Sequence, residues 1–164
     1  MNSMNEDWER RISALWVAID EIEPAAFVAQ VDALAAELPA GDAVGLFERG
    51  AARDSTGHPQ EAVVLYREAL RAGLTGLRQR RAAIQMASSL RNLGQVEEAL
   101  ALLTTELHAA SDELDDAIRG FLALVLVDLG REREAVALSL IALSHHLPRY
   151  NRSLARYANQ LTAG

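Results

Sequence analysis

The chain has 164 residues and a mass of 17.8 kDa, which suits one domain, or one array, with a core of its own. It holds 30 alanines and 25 leucines, no cysteine, and 16 basic residues that are all arginine; this excludes thiol nucleophiles, disulfides, cysteine-bound metals, lysine Schiff bases and a P-loop lysine. A net charge of −7 argues against a nucleic-acid surface, which needs a concentrated basic face.

No apolar run reaches membrane-spanning length, and the acidic, polar start from Met1 to Trp8 has no basic stretch followed by an apolar one. The chain therefore reads as cytoplasmic, with no membrane partner.

Helical periodicity begins at once. Trp8, Ile12, Leu15, Trp16 and Ile19 recur at steps of three and four, forming one apolar stripe entered from Asp7. Glu23-Pro24 breaks this helix and suits the first turn of the next. That second helix carries Phe27, Val31, Leu34, Ala35 and Leu38, and it stops at Pro39-Ala40-Gly41. Residues 6–40 read as a helical hairpin.

Three segments then align without gaps. Gly57, Gly94 and Gly130 are each followed by Glu four on (Glu61, Glu98, Glu134) and Ala five on (Ala62, Ala99, Ala135). Val63, Leu100 and Val136 come next, and the glycine spacings are 94 − 57 = 37 and 130 − 94 = 36. Seven residues before each glycine stands Gly50, Ala87 or Ala123. The pattern predicts a helix, a left-handed glycine cap, and a second helix packed back on the first. Small residues on either side of the turn let the two axes approach closely.

This unit resembles the tetratricopeptide repeat, a helix–turn–helix that stacks into a right-handed superhelix. The stretch from Ser88 to Gly94, Ser-Ser-Leu-Arg-Asn-Leu-Gly, resembles the bacterial tetratricopeptide-repeat group 5. The resemblance covers residues 43–147 as three repeats. The N-terminal hairpin would be a degenerate fourth, and residues 148–162 a capping helix with Tyr150, Leu154, Tyr157, Ala158 and Leu161 on one stripe and Arg149, Arg152 and Arg156 on another. Some positions depart from the repeat. Arg49, Arg53 and Arg119 replace apolar or aromatic residues, Ser139 an aromatic and Glu106 a small residue. The extra length of each unit is placed near Gly73–Gly76 and Ala110–Asp116.

The resemblance implies a concave groove lined by the first helix of each repeat. In the second repeat the lining is Arg81, Ile84, Gln85, Ser88, Arg91 and Asn92; Arg81, Gln85, Ser88 and Asn92 form a polar stripe opposite an apolar one. Phe47 and Asp54 in the first repeat, and Phe121, Leu124 and Asp128 in the third, complete the candidate site. The family's lysine-and-asparagine clamp for a peptide carboxylate is unmatched: Phe47, Ala51, Ala117 and Phe121 stand in its places. From Gly120 to Val127 no residue is polar, so Phe121, Leu124 and Val127 are expected to be covered by the cap, a peptide or a second subunit.

No convergent catalytic set is visible. His145 and His146 are adjacent, about 100° apart on a helix, which is a poor spacing for one metal; His58 falls in a turn and His108 at a helix end. Asp112, Glu113, Asp115 and Asp116 straddle a helix start, where acids suit the macrodipole. No cofactor and no metal is expected.

The sequence thus reads as an all-α repeat array of about nine helices. Its expected role is a non-enzymatic protein-interaction scaffold that binds a peptide or helix, with homodimerisation as one mode. Two alternatives are open: a small-anion or ligand-binding accessory domain using Arg81, Gln85 and Arg91, and a purely self-associating structural module.

Overall fold

A computed structural model describes residues 3–109 and 111–163. The opening Met1-Asn2, and Ala110 at the start of the expected second insertion, lie outside the described residues. The described elements are nine α-helices and one 3-10 turn: α1 (Ser3–Val17), η1 (Ile19–Glu21), α2 (Pro24–Ala35), α3 (Ala43–Ser55), α4 (Pro59–Arg71), α5 (Gly76–Asn92), α6 (Val96–Leu107), α7 (Asp115–Asp128), α8 (Glu132–His145) and α9 (Asn151–Gln160). No strand occurs among the described residues. Residues 1–82 and 83–164 each form a compact unit, and the division falls inside α5.

The hairpin differs at its ends from the sequence pattern. Ile19 does not extend α1 but sits in the separate turn η1, and Leu38 lies beyond α2, which stops at Ala35. Both still reach the same core. Trp8, Ile12, Leu15, Phe27, Val31 and the α3 residue Ala52 form it, with Ile19 and Leu38 packed at its edge. Trp8 Nε1 donates to the carbonyl of Leu34 (2.8 Å), and the Trp16 and Phe27 rings meet edge to face at 5.0 Å.

The three repeat turns have one geometry. Gly57, Gly94 and Gly130 have φ of +84°, +77° and +70°, the left-handed region. After each, a backbone bond closes the motif: His58 N to Arg53 O, Gln95 N to Leu90 O and Arg131 N to Leu126 O, all 2.8 Å. These six-to-one bonds satisfy carbonyls that the ending helix would leave unpaired. The next helix starts within two residues and runs back along the first.

The close approach is visible at Gly50. A Cβ built there would lie 3.0 Å from the Tyr66 ring and 3.3 Å from Leu65 Cβ. Ala62, Ala87, Ala99, Ala123 and Ala135 are buried at the corresponding contacts. Much of the alanine content therefore sits where paired helices must touch.

The arginines that depart from the repeat pattern have partners. Arg49 Nε (3.0 Å) and both Arg53 terminal nitrogens (2.9 and 2.8 Å) donate to Asp32, tying α3 to α2. Arg119 donates to Asp116 within α7 (2.8 Å). Hydrogen bonds from Arg53, then Arg49, hold the Asp32 carboxyl below the usual carboxylate range against the opposing effect of burial. A folded value below the unfolded one of about 3.9 means this contribution is present above that pH and lost as pH falls through the folded value. Asp32→Asn is therefore expected to flatten the acid limb of the stability profile below about pH 4, as read from urea midpoints across pH. An unchanged acid limb would remove Asp32 from the account.

Candidate interaction site

Each unit presents its share of the candidate residues separately. In the first unit, Phe47 is fully buried, with its ring 6.1 Å from that of Tyr66. Phe47 is thus a core residue and offers no apolar pocket, a correction to its place in the groove lining. Its burial follows from its position on the α3 face that also carries Gly50 and Ala51, both buried. Arg81 is exposed, with its guanidinium carbon 5.2 Å above the Phe47 ring. Asp54 is half-buried and accepts a bond from Tyr66 Oη (3.4 Å).

In the second unit, Gln85, Ser88 and Arg91 on α5 are half-buried and Asn92 is exposed. Ile84 is buried, so it too supports this face from beneath. On α7, Phe121 is half-buried while Leu124 and Asp128 are exposed. Arg91 is not an open cation. Its guanidinium donates Nε (2.5 Å) and Nη2 (3.1 Å) to the two oxygens of Asp128, a bidentate pair that bridges α5 and α7. The pair fixes the two helices that bear the rest of the face. Two polar residues therefore act together where the sequence offered them singly; their spacing of 37 positions, one repeat, was the available signal.

The acidic cluster before α7 divides into two roles. Asp112 accepts from Leu114 N (2.8 Å) and Asp115 from Asp112 N (3.3 Å) and Ser111 Oγ (2.5 Å), so these two order the turn into the helix. Asp116 instead faces α8. His145 Nδ1 lies 2.8 and 3.0 Å from its oxygens, and His146 Nε2 lies 3.1 Å away. The adjacent histidines at the end of α8 reach one carboxylate through different ring nitrogens, Nδ1 of His145 and Nε2 of His146. Burial raises the Asp116 carboxyl, but hydrogen bonds from His145 and Arg119 hold it below its ordinary value. Among the described residues no group of three or more His, Cys, Asp or Glu is arranged to hold a metal ion. No helix among them is long and apolar enough to cross a membrane.

The C-terminal helix does not cover Leu124 and Val127, which remain about half-exposed in the single chain. It packs instead on another side of α8, where Ala137 and Ser144 are buried and Arg133 Nε donates to the carbonyl of Leu161 (3.2 Å).

Comparison with known proteins gives one family. No curated protein and no solved structure matches the chain significantly. A family model described as Tetratrico peptide repeat (group 5) matches residues 43–161. That span begins at α3, includes all three glycine turns and runs through α9. The chain belongs to this tetratricopeptide-repeat family.

Proposed function

We propose that the chain is a non-enzymatic interaction module whose α5–α7 face holds a peptide or helix of a protein partner. Tetratricopeptide repeats generally mediate protein–protein interaction. The observation that carries the finer reading is the Arg91–Asp128 bridge with Gln85, Ser88 and Asn92 on one side and exposed Leu124 on the other. Amides and hydroxyls suit the carbonyls and N–H groups of a bound backbone, and a leucine offers an apolar contact beside them. The bridge holds these groups in place before a partner arrives, which reduces the ordering cost of binding.

The anion-binding alternative is weaker, because the Arg91 guanidinium already meets a carboxylate. The test is affinity capture from native lysate with wild-type and Gln85→Ala/Asn92→Ala baits, compared by quantitative mass spectrometry. A defined set of proteins is expected to fall by roughly tenfold or more with the double variant, since losing well-placed contacts costs more than about 1 kcal/mol. Identical captures would remove this face from the binding surface. A rise in melting temperature with phosphate would favour the anion reading.

A further inference from the structure

The third repeat leaves open a surface that the first two bury. Matched position by position, Ala51 is buried, Ser88 is half-buried and Leu124 is 46% exposed. Val63 is buried, Leu100 is half-buried and Val136 is 48% exposed. Tyr66 and Leu103 are fully buried, yet Ser139 at the same position is exposed. In the second repeat the covering helix is α7, which packs on α6 and holds Arg91 of α5 through Asp128. In the third, α9 goes elsewhere. It buries Ala137 and Ser144, whose counterparts Ala101 and His108 on α6 are exposed. The open flank is an apolar hollow of about 240 Å³ between α7 and α8, floored by Gly120, Ala123 and Ala135 and walled by Leu124, Val127 and Val136.

We propose that a second copy of this chain seats its own α7–α8 flank in this place, around a two-fold axis. The shape of the flank favours self-pairing: a Cβ at Gly120 would meet nothing within 4 Å. Gly120, Ala123, Leu124 and Val127 form one stripe, and an antiparallel copy centred between Ala123 and Leu124 sets Gly120 against the partner's Val127. A residue without a side chain then receives a branched one, and Leu124 stands opposite the partner's Ala123, half a residue from the axis.

The flank is two helices wide, and α7 has 14 residues, so its footprint is about 20 Å by 20 Å. That is the size of weak, transient interfaces, so a reversible, concentration-dependent dimer is expected.

The test is light scattering of the full chain over a concentration series, with Val136→Glu, which lies outside the proposed peptide face. The wild type is expected to move from monomer to dimer, and V136E to weaken the dimer by roughly a hundredfold, the effect of a charge buried at the centre of an apolar interface. The natural absence of cysteine permits a second measurement. Leu124→Cys should oxidise to a covalent dimer at least about tenfold faster than Val64→Cys, an exposed control on α4, because a disulfide needs its Cα atoms within about 7 Å. If V136E loses its helical circular dichroism, the cross-linking rates decide alone. A wild type that stays monomeric, a dimer indifferent to V136E, or equal cross-linking at 124 and 64 would each overturn the proposal and leave the flank to another occupant. None of these outcomes bears on Gln85 and Asn92; only Leu124 is shared by the two surfaces, so the polar side of the peptide face stands or falls separately.

Discussion

Tyr66→Ala is expected to destabilise the chain by about 4 kcal/mol, as read from urea unfolding, because it removes the largest fully buried side chain of the first repeat. The Tyr66 ring lies against Gly50 at a distance that leaves no room for a Cβ there, and it contacts Phe47. A cavity so placed cannot collapse without moving α3 onto α4, since the two helices already touch through glycine and alanine. Tyr66→Phe should cost only about 1 kcal/mol, the worth of one hydrogen bond, because the ring is retained. Burial pushes the phenol up well above its usual range, consistent with a hydroxyl held neutral beside Asp54. A cost below about 1.5 kcal/mol for the alanine variant would mean that the first repeat repacks freely, contrary to close packing of interiors.

The second large effect is expected at Glu48. Its side chain is 3% exposed, and its two oxygens accept from Arg78 Nε (3.0 Å) and Trp16 Nε1 (2.7 Å). Arg78 in turn donates twice to Glu9 (2.9 and 2.6 Å), so this network joins α1, α3 and α5 within the first unit. Glu48→Ala removes the acceptor of the half-buried Trp16 indole N–H and of an arginine nitrogen, at an expected cost of about 3 kcal/mol. The remaining Glu9 bonds keep the loss from being larger. A double replacement, Glu48→Met with Arg78→Met, is expected to recover at least half of that loss, because apolar side chains of similar size often replace a buried ion pair with little penalty. If the double variant is no better than Glu48→Ala, the Trp16 bond or the Glu9 pair, and not the stranded charge, sets the cost.

How far the sequence foretold these contacts depends on their range. The three turns were legible because glycine, glutamate and alanine recur at fixed offsets, and each offset encodes a local event: a cap, a helix start, a close contact. The helix pairing followed from the same residues. Phe47 was misplaced because the family pattern assigns a groove position without knowing how deeply this repeat is covered, and here the residue is enclosed. Arg49 and Arg53 read as departures from an apolar pattern until Asp32, 17 and 21 positions away, supplied the reason. The pairing of Asp116 with His145 and His146 runs through different ring nitrogens of the two histidines, which periodicity does not resolve. The side of α8 taken by α9 was equally hidden. An amphipathic stripe announces that a helix will pack, and it does not name the surface that receives it.

The repeat turns carry one more implication. A side chain added to Gly57, Gly94 or Gly130 would meet no atom within 4 Å, yet all three have positive φ. These corners therefore demand handedness and have space to spare. An L-residue is opposed there by its own backbone alone, so a mirror-image D-alanine introduced by chemical synthesis would suit the backbone at these corners while restricting the unfolded chain.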